Sequence, residues 1–182
     1  IGTKSQHKDM EEYIFHVKKN QLAVIDLSKT DKQIRKASEF LSDFEPEDVL
    51  IVGRKEEVQD SIEKLSEAVG FDYITGRFMP GTLTNPRSDS FREPNVIVTT
   101  DPETDAQAIK EASETNVPVV SIADSENQLE NIRVVIPGNN KGENAVATIM
   151  YLLGREYCQH RDQEFEFELD DFAEVEAEET EE

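Results

Sequence analysis

Four short apolar runs limit how this chain can fold: Val49-Leu50-Ile51-Val52, Val96-Ile97-Val98-Thr99, Val117-Pro118-Val119-Val120-Ser121-Ile122 and Arg133-Val134-Val135-Ile136. None alternates polar with apolar residues. Each would be apolar on both faces, which suits a parallel strand covered by layers on either side. Amphipathic segments separate them. Val58, Ile62, Leu65 and Val69 recur at helical spacing, with Gly70 placed as a C-terminal cap. Thr104-Asp105-Ala106-Gln107 has the capping-box form ahead of Ile109 and Ala112. Asn140, with Glu143 three positions on, opens a last helix whose apolar face is Ala145, Ile149, Leu152 and Leu153. Such alternation predicts βαβ units and an α/β domain of three layers, with a mainly parallel sheet of about five strands.

The N-terminal part is read in the same way. Met10, Ile14 and Val17 stand at helical spacing, with Lys18 and Lys19 in the last turn, so residues 7–19 are expected to form an amphipathic helix. Leu22-Ala23-Val24-Ile25, ending in Asp26, reads as a strand buried on both faces. Thr30-Asp31-Lys32-Gln33 is a second capping-box pattern, ahead of Ile34, Ala37, Leu41 and Phe44. Phe71-Asp72-Tyr73-Ile74 is a shorter strand that leads into residues 77–95. That stretch holds Pro80, Pro86 and Pro94 and no period that would sustain a helix. A loop of this length inside a compact domain is usually functional or disordered. Arg77, Arg87 and Arg92 against Asp89 and Glu93 give it a charge of +1, in a chain of net charge -21. It reads either as a loop that contacts RNA or phosphate or as an irregular crossover between strands.

Charge is the strongest compositional constraint. Residues 162–182 contain twelve acidic side chains and no basic one, and the other 161 residues still carry -9. A protein that held nucleic acid by bulk charge would be basic, so any such contact here has to be local or made where salt screens charge. At 1 M salt the screening length is roughly 3 Å, and an acidic, lysine-poor surface is expected of a protein from a salt-loving cell. The segment 159–182 alternates acids with Phe165, Phe167, Leu169 and Phe172 before becoming Glu-rich, and is expected to be a disordered acidic tail on a domain of residues 1–158. The chain begins at Ile1 without a Met, which reads as a truncated N-terminus. No apolar run approaches the ~18–20 residues of a membrane-spanning helix. Cys158 is the one cysteine, which excludes an internal disulfide and fits a reducing compartment, the cytoplasm by default.

Ligands of open parallel sheets bind beyond the carboxyl ends of the strands. Asp26, Asp101 and Asp124 fall at such ends, and three carboxylates there could hold Mg2+ for phosphoryl transfer, or for a phosphoreceiver-like module with Lys141 as the phosphate partner. Turn and cap chemistry explains each of them separately. Nucleotide-binding glycine loops, the zinc-protease His pair and the nucleophile elbow do not occur. Basic residues cluster in two places, Lys4, Lys8, Lys18 and Lys19 near the N-terminus and the three arginines of residues 77–95. Arginine pairs phosphates bidentately and stacks on bases, and Thr82, Thr84 and Asn85 could reach 2'-OH and phosphate oxygens. A merely solvated face explains the lysines equally well.

Gly76-Arg77-Phe78-Met79-Pro80-Gly81-Thr82-Leu83-Thr84-Asn85 closely resembles a loop of the universal small-ribosomal-subunit protein number two family, in its archaeal and eukaryotic branch, which includes the laminin-receptor-precursor relatives. Phe91-Arg92-Glu93-Pro94, Thr100-Asp101-Pro102-Glu103-Thr104-Asp105, Ile136-Pro137-Gly138-Asn139-Asn140-Lys141-Gly142 and Gly154-Arg155-Glu156 continue the match in order, and Ile1-Gly2-Thr3 looks like the segment after a family histidine. The resemblance implies a flavodoxin-like α/β/α domain without enzymatic activity or cofactor. It also implies a structural place on the cytoplasmic small subunit, in contact with small-subunit rRNA and neighbouring ribosomal proteins and with no membrane or small-molecule partner. Lys4, Lys8, Lys18, Lys19, Arg77, Thr82, Thr84, Asn85, Arg87, Arg92, Asn139, Asn140 and Lys141 are the candidate contacts. The helical-hairpin insertion of the bacterial branch has no counterpart here, and the acidity fits a halophilic archaeal source.

Overall fold

The structure, a computed structural model that describes residues 4–172, is built on one five-stranded parallel sheet and one small hairpin. The hairpin comes first. A 3-10 turn over Lys8–Tyr13 leads into β1 (Ile14–Val17), which pairs antiparallel with β2 (Ala23–Ile25). Then follow α1 (Leu27–Ser42), β3 (Val49–Gly53), α2 (Gln59–Val69), β4 (Asp72–Thr75), β5 (Val96–Thr99), α3 (Ala106–Glu114), β6 (Val119–Ala123), β7 (Val134–Pro137), α4 (Glu143–His160) and the short α5 (Leu169–Phe172).

The parallel strands lie in the order β4-β3-β5-β6-β7. Counted within the sheet this is 2-1-3-4-5, the flavodoxin-like doubly wound order, with its switch point between β3 and β5. Alternate side chains of each strand feed opposite faces. Val49, Ile51, Val96, Val98, Val120, Ile122, Val134 and Ile136 pack against α1, α2 and α4. Leu50, Val52, Ile97 and Val119 pack against Ala108, Ile109 and Ala112 of α3 and against Phe78 and Leu83 of the long loop. That loop therefore stands in the third layer where a crossover helix would otherwise lie, and Phe78 and Leu83 take the place of the helix's apolar stripe. Gly70 ends α2 in the left-handed region (φ +83°), the cap expected of it.

Several expectations for the N-terminal and cap regions are corrected. Residues 7–19 are not an amphipathic helix. Only Met10 and Tyr13 go inward, against Ala123 and Val135, whereas Phe15 and Val17 stay exposed. The β-branched and aromatic residues that follow favour extended backbone, and Gln21 at φ +68° closes the turn back into β2. Residues 22–25 accordingly pair with β1 and do not enter the parallel sheet. Helix α1 starts at Leu27, capped by Asp26 rather than by Thr30; the Thr30 hydroxyl donates instead to the Pro137 carbonyl (2.7 Å), which ties α1 to the end of β7. Helix α3 begins after Asp105, not Thr104, and the residue before α4 is Gly142, not Asn140.

The region expected to be an acidic tail falls partly on described residues. Helix α4 runs on to His160, and the Arg161 guanidinium donates to the Phe44 carbonyl (2.9 Å) and the Glu45 carboxylate (2.7 Å) and lies over the Tyr157 ring. Beyond it Phe165 and Phe167 are half-buried and Phe172 buried, while Glu164, Glu166 and Glu168 are exposed. Phe165 and Phe172 meet Tyr151 of α4 edge-on at 5.6 and 5.8 Å between ring centroids. The segment is thus a strap with its aromatic side on the body and its acids in water. Residues 1–3 and 173–182 lie outside the described residues.

Candidate nucleic-acid interface

The long loop leaves β4 at Gly76, whose N–H donates to the Gly53 carbonyl (3.0 Å), and is built from consecutive turns. Gly81, at φ +94°, takes a backbone conformation that side chains other than glycine's adopt with strain. Turn bonds run from Asn85 N–H to Gly81, from Ser88 to Asn85 and from Phe91 to Ser88, and the Arg92 N–H closes the loop on the Thr82 carbonyl (2.8 Å). Its main anchor is a carboxylate from another element. Glu111 of α3, only 2% exposed, accepts from Gly81 N–H (2.8 Å), Leu83 N–H (3.0 Å) and the Gln107 amide (2.8 Å). Burial disfavours its charge, yet these donors outweigh burial and hold the carboxyl below the ordinary glutamate range. A loop without helix or strand is thereby fixed by one buried acid and two apolar plugs.

The switch-point rim is closed by a second set of internal bonds. Lys55, after β3, places its ammonium 2.6 Å from Asp101, after β5, and donates to the Asn140 carbonyl (3.0 Å), after β7. For Asp101, burial is opposed and outweighed by Lys55, the Glu103 N–H and the Thr104 hydroxyl, which hold the carboxyl below its usual range. Asp105 accepts from the N–H groups of Arg54 (3.1 Å), Thr100 (3.1 Å) and Asp101 (3.2 Å) and from the Thr100 hydroxyl (3.1 Å). Its burial is deep enough to exceed those donors and push the carboxyl up to about 6. In Asp124, burial likewise raises the pKa although Ser125 donates to it.

These contacts correct the metal reading. Asp26 caps α1 through Ser28, Asp101 is neutralised by Lys55 and Asp124 is occupied by Ser125. Among the described residues no group of three metal-ligating side chains is placed to hold an ion.

The candidate contact residues divide by environment. Lys4, Lys8, Lys18, Lys19, Arg77, Thr84, Asn85 and Arg87 are exposed. Arg92 is exposed but paired with Asp72 of β4 (3.2 Å), and Lys141 is paired with Glu126, whose hydrogen bond and charge raise its pKa. Thr82 is buried and donates to the Met79 carbonyl (2.6 Å), a turn contact within the loop. The Asn139 side chain accepts from the N–H groups of Lys141 and Gly142 at the start of α4. Buried Asn140 donates to Asn127 (3.0 Å). In Thr82, Asn139 and Asn140 the structure therefore finds scaffold contacts.

Four residues that shape this candidate site were not singled out in the sequence. Arg54 and Arg77 both line a cleft of about 260 Å3 that also includes Phe78, Pro80 and Gln107, and Arg54, Arg77 and Arg87 carry no ion pair among the described residues. Only its place one residue past β3 marks Arg54. Lys55 is marked only by its rim position, and Asp105 stood within the capping pattern of residues 104–107 without showing that its carboxylate ties the rim. Glu111 did leave a signal, an acid between Ile109 and Ala112 on the apolar stripe of α3, where burial demands donors.

Comparison with known proteins gives the family. The family model for ribosomal protein S2 matches residues 2–90 and 87–159. The small ribosomal subunit protein uS2 of Methanococcus maripaludis strain C6 is 42% identical over 177 residues, covering 96% of this chain and 80% of that protein. Its counterpart in strain C5 is 40% identical over 177 residues with the same coverage. With a parallel sheet in flavodoxin-like order, a long anchored loop in its third layer and these matches over nearly its whole length, the chain belongs to the ribosomal protein S2 family.

Proposed function

We propose that this chain, a structural component of the small ribosomal subunit, meets small-subunit rRNA through the loop 76–95 and the rim residue beside it. The observation that carries the reading is the set of exposed, unpaired guanidiniums of Arg54, Arg77 and Arg87, held on a backbone that Glu111 and the plugs Phe78 and Leu83 immobilise. In a molecule of net charge -21, guanidiniums left without internal partners suit an anionic one. Preformed geometry also lowers the ordering cost of binding. The other exposed candidates, Thr84 and Asn85 on the loop and Lys4, Lys8, Lys18 and Lys19 in the N-terminal region that packs on β6 and β7, are further contacts to rRNA or neighbouring ribosomal proteins.

The chain acts as a scaffold in the cytoplasmic ribosome and not as an enzyme. Its switch-point crevice, where a doubly wound sheet would hold a small ligand, is filled by the Lys55–Asp101 pair and the Asp105 bonds. The ribosomal domain, expected over residues 1–158, carries its last helix on to His160, and the acidic stretch that follows rests its aromatic side on α4 as far as Phe172.

Replacement of Arg54, Arg77 and Arg87 by Glu tests the reading by co-sedimentation with small subunits at native salt. Incorporation is expected to fall at least tenfold while the isolated variant keeps its melting temperature. Undiminished incorporation removes the loop from the interface.

A further inference from the structure

We infer that the β1–β2 hairpin is a stacking platform for an unpaired base of small-subunit rRNA, with Phe15 under the base and Lys18 and Lys19 on the flanking phosphates. The inference rests on the reading that the chain contacts rRNA and names the part of the RNA this element takes.

Three observations carry it. The first is placement. Ile14 pairs with Ile25 and His16 with Val24, so Phe15 is the extra residue of a β-bulge. Bulges re-aim side chains, and this one leaves Phe15 72% exposed. His16 meets the Phe15 ring edge-on at 5.3 Å between centroids, an interplanar angle of 79°, so it props the ring without covering it as a stacked neighbour would. The second is concentration. Phe15, Val17 and Leu27 are three of the five large apolar side chains exposed among the described residues, and all three lie on the hairpin or at the first residue of α1. The third is charge. Residues 14–25 contain no acidic side chain, and Lys18 and Lys19 are exposed at the hairpin turn, in a chain with 40 acidic residues.

An apolar ring alone would fit many partners. A ring with two lysines nearby in sequence, in an acid-free stretch of an otherwise acidic chain, fits an anion with a flat apolar face. Unpaired RNA bases provide that combination, since they splay out and stack on aromatic side chains while basic residues follow the backbone. The two contributions also respond differently to salt. Phosphate contacts weaken steeply as salt rises, whereas stacking on Phe15 does not depend on counterion release.

The test uses assembled small subunits carrying Phe15→p-azidophenylalanine, which keeps an aromatic ring at the bulge. Irradiation is expected to give an RNA crosslink that maps to one or two adjacent nucleotides in an unpaired segment. A crosslink to protein alone, or to a base-paired helix, overturns the proposal. A second arm maps 2'-hydroxyl acylation of the rRNA in subunits with the natural chain, with Phe15→Ala, with Phe15→Tyr and without the chain. Reactivity at the crosslinked nucleotides should rise at least threefold with Phe15→Ala and stay at the natural level with Phe15→Tyr. If the natural chain protects nucleotides elsewhere but none responds at position 15, the stacking proposal fails and the rRNA reading stands. If the chain protects no nucleotide at all, both fail.

Discussion

Two buried carboxylates have opposite effects on stability as pH changes. Asp105 has a folded pKa near 6 against 3.8 for the ordinary group, so burial favours its protonated form in the fold. Its contribution is complete below about pH 4 and is lost as pH rises through about 6, up to about 3 kcal/mol. Glu111 is lowered, so its contribution is present above the ordinary glutamate value and is lost as acid protonates it. Urea midpoints measured from pH 4 to 7 should show the natural chain's advantage over Asp105→Asn shrinking as pH rises, and carboxyl-carbon NMR should place the Asp105 titration near 6. Glu111→Gln keeps one acceptor oxygen but turns an amide donor toward a backbone N–H. A loss of about 1–3 kcal/mol is expected, together with faster tryptic cleavage after Arg87, because the loop then loses one of its two backbone anchors.

Element by element, the repeating units were legible and their junctions were not. The runs that became β3, β5, β6 and β7 could be read because burial on both faces leaves an unbroken apolar signature. The loop could be read as irregular from its prolines, and its place as a substitute for a helix follows from Phe78 and Leu83 packing beside α3. The hairpin misled because Met10, Ile14 and Val17 fit a helical period by chance while β1 and β2 carry too few residues to display a period of two. Of the candidate site, the loop arginines Arg77 and Arg87 were legible as charge against an acidic background, whereas Arg54 was not. Their anchor Glu111 showed only as an acid on an apolar stripe and the Lys55 tie not at all, since the partners of both lie far away in sequence. The strap tests the same lesson at the other end of the chain. Phe172→Ala removes a buried ring that touches Tyr151, Phe165 and Phe167, and is expected to cost about 3 kcal/mol in thermal or chemical unfolding. An unchanged melting temperature would show that the strap does not hold to the body in solution.

At the scale of the whole molecule, repulsion among 40 acidic groups opposes the compact state, and salt relieves it. We propose that the fold is adapted to high salt, and melting temperatures should rise from low to molar KCl; a flat profile would separate the acidity from any such adaptation. The strap also bears on the order in which the molecule is completed. The apolar side of α4 around Tyr151 is made before the rings that cover it, so the strap can seat only once α4 has formed. Until it seats, the domain keeps an open aromatic surface, and the acids that alternate with the rings face water once it does, so the strap acts as a late-closing seal on α4.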